Sequence, residues 1–421
     1  MRAAVDTKSN QGNNGNKGNK GHKGKVCVVR HGYYPADPRV RKEVSTLLNS
    51  GYGVDVICLR RKGEGNRELV DGAIVHRLPI AHRRGTFLRY AYEYISFFVL
   101  AFFQLTILQL RHRFRVVQVN NMPDFLVFAA LVPKLMRVRI VLDVHDLMPD
   151  LYAAHHNCTL SSPMPRVLLV LERLSCRFAD HVIAVTELWK DKLVSRSVKR
   201  DRCTVVMNVA DEALFPRRSG KIWNYDGPNG SSLRLVYHGA LMRRYGVDLA
   251  VKAVNILKGD IPTCTLHILG EGEQLGELEE LIRELGLEDV VFMSRKSLPP
   301  EAVWKHISQA DVGIVPHRRD AFVDEILPNK LLEYVCVGAP VVTSRTKAIE
   351  MYFDGSMVKF FDSGDERDLA RCILDLCRRP GAAKSLATRA DLFNQDYCWE
   401  RVAATYVALI DRLADTTPRL S

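Results

Sequence analysis

The chain has 421 residues, too many for one ordinary core, so its length predicts two domains. Hydrophobic residues make up 47% and charged residues 26%, as in a soluble globular protein. Of the net charge of +12, residues 1–25 carry +5 (six cations against Asp6), so the body carries 12 − 5 = +7. That balance argues against a nucleic-acid protein and suits an anionic ligand or an anionic membrane surface.

Residues 1–24 form a polar, low-complexity stretch that includes NGNKGNKGHKGK. Because it has no apolar face to bury, we predict a disordered basic tail, with no secretory signal. The ten cysteines are scattered and include no Cys-x-x-Cys pair. This pattern predicts reduced thiols and therefore a cytoplasmic protein.

The first predicted domain spans residues 25–212. Apolar runs typical of strands alternate with segments of helical spacing such as DPRVRKEVSTLLNS and PDFLVFAALVPKLM, with a further helix at about 163–179. The predicted strands are KVCVVRHG, VDVICLR, VVQVN, IVLDVHD, HVIAVT and CTVVMN. This alternation predicts a parallel sheet covered by helices on both faces.

Residues 94–110, YISFFVLAFFQLTILQL, form an apolar and aromatic stretch flanked by arginines on both sides. It is shorter than the ~20 residues that cross a bilayer. A buried core helix, a helix lying on an anionic membrane surface and a true span all remain open at this point. A membrane-surface helix predicts a protein bound peripherally to the inner face of a membrane.

Residues 213–232 are rich in Gly, Pro, Ser and Asn and are predicted as a linker. A second alternation of strands and helices follows over residues 233–395, and residues 396–421 are predicted as a C-terminal helix of unassigned position. The fold class is therefore α/β, with two Rossmann-like, doubly wound parallel-sheet domains facing across a cleft. Ligands of such sheets bind beyond the carboxyl ends of the strands.

The stretch DEILPNKLLEYVCVG contains two acids separated by seven residues, Glu325 and Glu333. Pro328 suits the start of a helix and Gly338 suits its end. Free N–H groups at the helix start, together with Lys330, favour phosphate, while Glu333 can accept hydrogen bonds from a ribose diol. An ordinary Lys–Glu helix pair is the alternative explanation.

Four motifs occur in a shared order: HGYYPADPRVRKE, VLDVHDLMPDLY, HGALMRRYGVDLAVKA and the spaced acids of EILPNKLLE. With LHILGEGEQL, they resemble the retaining glycosyltransferases of family four, which have the GT-B fold. The resemblance covers nearly all of residues 25–400. It implies sugar transfer from a nucleotide diphosphate sugar, with UDP the expected nucleotide, to a glycan or lipid-linked acceptor.

The resemblance also implies site residues. The donor-binding set is Gly239, Arg243, Arg244, Gly270, Gly272, Arg295, Lys330, Leu331 and Glu333. The acceptor-binding set is Gly32, Arg39, Asn121 and Asp124, and the catalytic residues are His145 and Glu325. The family often has cations at the positions of Ala240 and Tyr245, so Arg244 and Lys330 are the predicted diphosphate clamp instead.

No metal site and no cofactor are predicted, because the cationic clamp replaces a metal ion in this family and the sequence has no Asp-x-Asp pair at a plausible site. His145 is expected to bond a sugar hydroxyl as a neutral imidazole, or to serve as a structural residue at the end of its strand. Two other functions stay open. One is a nucleotide-sugar epimerase on the same fold, and the other is a non-catalytic sugar-nucleotide-binding protein.

Overall fold

A computed structural model describes residues 23–80, 87–227, 230 and 232–417. Most of the predicted tail, residues 1–22, lies outside this range, and Gly24 is already the first residue of a strand. All ten cysteines are free thiols. The described chain forms two parallel-sheet α/β domains, so the predicted fold class is confirmed.

The first sheet has the strand order β3-β4-β2-β1-β5-β6-β7-β8. Its strands are β1 (Gly24–Arg30), β2 (Tyr52–Leu59), β3 (Arg67–Val70), β4 (Ala73–Leu78), β5 (Val116–Asn120), β6 (Arg139–Asp143), β7 (His181–Ala184) and β8 (Cys203–Val205). The edge strand β3 runs antiparallel to β4, which the sequence analysis did not predict. Asp71 and Gly72 connect them with φ of 50° and 88°, as a two-residue hairpin turn requires.

The helices of this domain are α1 (Pro38–Asn49), α2 (Phe87–His112), α3 (Leu131–Leu135), α4 (Met148–His155), α5 (Pro163–Phe178) and α6 (Glu187–Arg196). The single helix predicted over PDFLVFAALVPKLM is instead a 3₁₀ segment, Asp124–Ala130, followed by α3. Asp37 caps α1, since its carboxylate accepts from the N–H groups of Arg39 and Val40.

Strand β1 shows how an unbroken apolar run produces a sheet buried on both faces. Val26 and Val28 join the core on the side of α1, whereas Cys27 and Val29 join the core on the side of α2. Successive side chains of a strand point to opposite faces, so an apolar residue at every position serves two cores.

The second domain has a parallel sheet of order β11-β10-β9-β12-β13-β14. Its strands are β9 (Arg234–His238), β10 (Thr265–Leu269), β11 (Val291–Met293), β12 (Val312–Val315), β13 (Val341–Ser344) and β14 (Lys359–Phe361). Its helices are α7 (Val247–Leu257), α8 (Leu275–Glu284), α9 (Pro300–Gln309), α10 (Asn329–Val337), α11 (Lys347–Tyr352), α12 (Glu366–Arg378) and α13 (Pro380–Asp396).

The C-terminal helix α14 (Trp399–Asp415) returns to the first domain and packs on α1 and β5. The Tyr406 hydroxyl donates to Oε1 of Gln118 at 2.7 Å inside the first core. The Tyr52 hydroxyl donates to Asp411 at 2.6 Å. The C-terminal helix, whose position the sequence analysis left unassigned, therefore packs against the first domain on the side of α1.

Helix α2 is longer than the predicted segment 94–110 and leaves much of its apolar surface uncovered. By length and composition it is the one helix among the described residues that could cross a membrane. Only 28% of its apolar window is buried. Phe97, Ala101 and Leu105 pack into the domain core. One side of α2 therefore belongs to the core, and much of its remaining apolar surface is exposed.

Candidate active site

A cavity of about 760 Å³ lies between the carboxyl edges of the two sheets. The first domain contributes residues that follow β1, β6, β7 and β8, and the second contributes residues that follow β9 and β12, with the start of α10. The polar and charged lining residues include Arg30, Asp37, Arg39, His145, Asp146, Thr186, Asn208, His238, Tyr245, His317, Asn329, Lys330 and Glu333. We call this cavity the cleft.

Helix α10 presents its N-terminus to the cleft. Pro328 is its N-cap residue and Gly338, with φ of 82°, ends it in the left-handed conformation, as predicted from these residue types. No side chain caps the helix start. The first N–H groups of a helix have no acceptor within it and carry partial positive charge, so this end favours an anion.

Lys330 lies on the first turn of α10 and is only 8% exposed. Its ammonium is 3.1 Å from the Tyr237 hydroxyl and 3.4 Å from Nε2 of His317. It also lies 4.4 Å from the ring centre of Tyr237 and 4.8 Å from that of Tyr245. Burial lowers the pKa of Lys330 to about 7, and the negative charge of Glu333 opposes this shift. The contacts of the ammonium within hydrogen-bond distance are therefore with neutral groups, and Lys330 forms no ion pair among the described residues.

Glu333 lies one turn further along α10, with Oε2 3.1 Å from Nε2 of His238. Burial raises the pKa of Glu333 to about 8, and the charges of Lys330 and Lys42 oppose the shift. Burial also lowers the pKa of His238 to about 3, helped by the charge of Lys330. At neutral pH the imidazole of His238 is therefore neutral and the carboxyl group of Glu333 is largely protonated, while Nε2 of His238 has no hydrogen-bond partner among the described residues.

Pyrophosphate binding is expected to weaken as pH rises from 6 to 8. Lys330, with a pKa of about 7, loses its charge over this interval, and Glu333, with a pKa of about 8, begins to ionise. Calorimetry should compare the natural chain with a Lys330→Arg variant, which stays charged, so that titration of the ligand cancels. Between pH 6 and pH 8, the affinity of the natural chain divided by that of the variant should fall about tenfold. A constant ratio would contradict the role of the Lys330 charge in binding pyrophosphate.

On the opposite wall, His145 is held by a buried network. Its Nε2 lies 3.0 Å from Oδ2 of Asp143, and its backbone N–H donates to Oδ1 of Asn121 at 2.7 Å. Burial, with the charges of Arg39 and Arg30, keeps the pKa of His145 well below its usual range. The imidazole is therefore neutral and fixed in orientation, which suits a hydrogen bond to a sugar hydroxyl.

Arg39 lines the cleft but is anchored from below. Its guanidinium contacts Oδ1 of Asp143 at 2.5 Å and Oε1 of Glu43 at 3.1 Å, and both carboxylates are fully buried. Gln118 donates to Glu43 at 2.8 Å, which joins this network to Tyr406 of α14. The predicted acceptor contact Arg39 therefore also pairs with two buried acids beneath the cleft.

Several predicted donor residues do not line the cleft. Arg243 borders a separate surface cavity with Asp248, and the Arg244 guanidinium lies 5.8 Å from the ring centre of Phe322. Arg295 is exposed and pairs with Glu279 at 2.6 Å. Leu331 is a core residue with no exposure, because it lies on the inner face of α10. Of the two residues predicted as the diphosphate clamp, Lys330 lines the cleft and Arg244 does not.

Glu325, predicted as a catalytic residue, also does not line the cleft. Its carboxylate pairs with Lys192 of α6, whose ammonium also contacts Asp150 at 2.9 Å. Glu325 is absent from the cleft lining, and its ion-pair partner belongs to the first domain. Its contact ties the two domains together beside the cleft.

The predicted glycines have mainly packing roles. A Cβ on Gly270 would lie 2.0 Å from the Gly239 carbonyl oxygen, and one on Gly272 would lie 2.3 Å from that of Leu241. Both glycines therefore let two strand-end loops pack closely beneath Gly239, which does line the cleft. A Cβ on Gly32 would lie 3.3 Å from the Arg30 side chain, and Gly32 does not line the cleft itself.

Asn121 and Asp124, predicted as acceptor contacts, are buried. Asn121 donates to Oδ1 of Asp124 at 2.7 Å and to the Asp146 carbonyl oxygen at 2.7 Å. Burial raises the pKa of Asp124 to about 7. These residues support the loop that carries His145 and do not reach the cleft.

Cleft residues that the sequence analysis did not propose include Arg30, His238, Tyr245 and His317. Arg30 and His238 are the last residues of β1 and β9, so the carboxyl-edge rule contained a signal for both. Tyr245 stacks on His317 with ring centres 4.9 Å apart. This stack was not predictable, because the two rings come from separate loops.

Two Rossmann-like domains that face each other across such a cleft define the GT-B class of fold. Solved structures agree on the fold. Sucrose-phosphate synthase from Thermosynechococcus elongatus superposes with a TM-score of 0.73 at 18% identity, covering 93% of this chain and 99% of that one. Anabaena HepE in complex with UDP-glucose gives a TM-score of 0.67 at 15% identity, covering 92% and 99%.

Residues 36–208 match the family described as "Glycosyl transferase 4-like domain", and residues 232–379 match "Glycosyl transferases group 1". These matches together cover most of the chain, which belongs to the group 1 glycosyltransferases of the family-four type.

Two curated relatives match only part of this chain. A GDP-mannose-dependent alpha-(1-6)-phosphatidylinositol monomannoside mannosyltransferase of Mycolicibacterium smegmatis is 32% identical over 149 residues, which is 35% of this chain and 39% of the relative. A D-inositol 3-phosphate glycosyltransferase of Pseudarthrobacter chlorophenolicus is 28% identical over 262 residues, 59% of this chain and 61% of the relative. The chain thus spans less than two thirds of the length of either.

Proposed function

We propose that this protein is a retaining glycosyltransferase of the hexosyltransferase type. It moves a sugar from a nucleotide diphosphate sugar to a glycan or a lipid-linked acceptor. The observation that carries the proposal is the environment of Lys330, a buried ammonium beside the open N-terminus of α10 with no ion pair among the described residues. A diphosphate supplies the negative charge that this position lacks.

The proposed arrangement assigns each wall of the cleft a part of the reaction. Lys330 and the start of α10 hold the diphosphate, and Glu333 with His238 holds the ribose. Across the cleft, the neutral His145 bonds a hydroxyl of the donor sugar. Arg30 and Arg39 face the space left for the acceptor.

Retention of configuration follows from attack on the face that the diphosphate leaves. As the bond to the sugar breaks, negative charge grows on the diphosphate, and Lys330 with the helix N-terminus stabilises it. The sugar passes through an oxocarbenium-like species, and an oxygen of the departing phosphate accepts the acceptor's proton. Lys330 takes the part that a metal ion plays elsewhere, so we propose that no metal or other cofactor is required.

UDP is the proposed nucleotide. Among the similar proteins, Anabaena HepE was solved with UDP-glucose, starch synthase IV of Arabidopsis thaliana with ADP, and the mannosyltransferase relative is named for GDP-mannose. The HepE complex supports UDP, and the screen below compares it with the other two nucleotides.

A thermal-shift screen of UDP-, GDP- and ADP-sugars should show stabilisation by a UDP-sugar. A ligand present at a hundred times its Kd and binding only the folded state adds about 2.7 kcal/mol of stability. Turnover of that donor with an added glycan or lipid-linked acceptor, unchanged by EDTA, would support the proposal. An epimer formed from donor alone would favour the epimerase, and binding without any turnover would favour a non-catalytic protein.

We also propose that the protein works in the cytoplasm, bound peripherally to an anionic membrane through α2. The support is the exposed stripe Tyr92, Ile95, Val99, Phe103, Ile107 and Leu110, whose spacing of three and four residues lies along one side of the helix.

A Phe103→Glu variant should float less well with anionic vesicles than the natural chain, because it places a charge in the middle of the stripe. Phe292→Glu is the matched control, since Phe292 is also an exposed aromatic residue but lies on β11 of the second domain. Equal loss of flotation in both variants would argue against a contact through α2.

A further inference from the structure

The apolar surface of α2 continues onto two neighbouring helices. The 3₁₀ segment Asp124–Ala130 packs against both α2 and α5, and α3 packs against α2, so the three helices lie on one side of the first sheet. Of the 19 large hydrophobic residues that are exposed among the described residues, 13 belong to α2, α3 and α5. An accumulation this uneven marks an interaction surface. We call the exposed side of these helices the three-helix face.

The charges of the three-helix face have one sign. Glu93 and Glu172 are the only acids in α2, α3 and α5, and both are buried, with 1% and 2% exposure. Exposed cations include Arg111, Arg166 and Arg173. Apolar side chains interspersed with arginine, with no exposed carboxylate, complement an anionic lipid surface.

A basic pocket of about 480 Å³ adjoins this face where α3 and α5 end. It lies at the amino ends of β6, β7 and β8, the sheet edge opposite the cleft. Five cations, Lys134, Arg139, Arg177, Arg202 and Arg412, surround a single lining carboxylate, that of Asp180. Leu135 and Leu174, two members of the three-helix face, are close neighbours in sequence of Lys134 and Arg177.

The existing contacts of the pocket leave positive charge unmatched. Asp180 lies 3.2 Å from Lys134 Nζ and 3.4 Å from Arg139 Nη1. Arg202 donates to the backbone carbonyl of Asp180 at 3.1 Å. Arg177 and Arg412 have no hydrogen bond or ion pair with any described residue, although α5 and α14 bring them to the same pocket. Two free guanidinium groups are suited to bidentate contacts with phosphate oxygens.

We propose that this basic pocket binds the phosphate of an anionic phospholipid headgroup while the three-helix face contacts the acyl region beside it. The inference rests on the membrane contact in the proposed function and is independent of the sugar-transfer chemistry. Soluble phosphate esters share the recognised group, but the continuity of the pocket with exposed leucines favours a ligand whose phosphate is attached to an apolar chain.

The test measures binding of the full chain to phosphatidylcholine vesicles that contain either phosphatidic acid or oleate, matched in surface potential. Phosphatidic acid presents a phosphate and oleate a carboxylate, so matched potential removes the general attraction to negative charge. The natural chain should bind the phosphatidic acid vesicles at least tenfold more tightly. The double variant Arg177→Gln/Arg412→Gln should lose most of this preference.

The matched control is Arg283→Gln/Arg378→Gln, which removes the same charge from exposed positions of the second domain and should keep the preference. Equal binding to both vesicles, or a preference that survives in the Arg177/Arg412 variant, would overturn the proposal. Equally tight binding of free glycerol 3-phosphate would show a soluble ligand and make the lipid assignment wrong. Thermal shift by the sugar nucleotide should be the same in all variants, so the outcome is separate from that for sugar transfer.

Discussion

Lys330→Met should abolish most donor binding while leaving the protein folded. Removing one partner of a buried, hydrogen-bonded charge pair costs about 2–5 kcal/mol, or roughly 30- to 4,000-fold in affinity. Methionine keeps a similar volume beside Tyr237 and Tyr245, and it removes an amine whose burial is unfavourable in the free protein. We therefore expect thermal stability without ligand to be unchanged or higher. Calorimetry with the stabilising sugar nucleotide gives the affinity.

Arg243→Met is the control for this experiment, because Arg243 comes from the same predicted donor set but lies outside the cleft. Its affinity should match that of the natural chain. If Arg243→Met weakened binding as much as Lys330→Met, the diphosphate would not lie at the start of α10, and the arrangement proposed for the cleft would be wrong.

Arg39→Met should destabilise the first domain strongly. The substitution leaves Glu43 and Asp143 buried with no cation between them, and breaking a buried pair in this way costs about 3–5 kcal/mol. Burial and Asp143 already raise the pKa of Glu43 to about 7, so the network has little capacity for further unpaired charge. For a domain of this size we expect a fall in Tm of roughly 6–20 °C, measured by calorimetry.

The comparison is Arg41→Met on the same helix. Arg41 pairs with Asp71 at 3.3 Å, and both side chains are about half exposed, so the pair contributes about 0–1 kcal/mol. Its Tm should change by only a few degrees. Similar losses in the two variants would mean that the buried carboxylates are neutral without Arg39.

The sequence predicted those site residues whose placement depends only on topology, because ligands of parallel sheets bind beyond the carboxyl ends of the strands. Lys330, Glu333, Gly239, His145 and Arg39 all follow from strand ends or helix starts, and the structure brings them to one cleft. Apolar runs at every position identified most strands, because buried parallel strands need two apolar faces. The short edge strand β3 was missed because its side chains are mostly exposed, although Asp71-Gly72 signalled the hairpin.

Side-chain direction was not predictable from the same rules. Glu325 and Arg244 lie in short 3₁₀ segments beside the cleft, and each side chain contacts a partner that is distant in sequence. Lys192 is 133 residues from Glu325, and Phe322 comes from a different loop from Arg244. The three buried neighbours of Lys330 were likewise not predictable from the sequence. They are Tyr237, Tyr245 and His317, which come together only in the folded cleft.

The return of α14 to the first domain has a consequence for the order of folding during synthesis. Gln118 and Tyr52 belong to the half of the chain that leaves the ribosome first, yet their partners Tyr406 and Asp411 are translated after the whole second domain. Until α14 has been synthesised, Gln118 therefore lacks its Tyr406 partner, and the apolar surface of α1 and β5 that α14 covers stays exposed. A nascent chain halted before residue 399 should be cleaved readily by protease in its first half, and one released beyond residue 415 should resist.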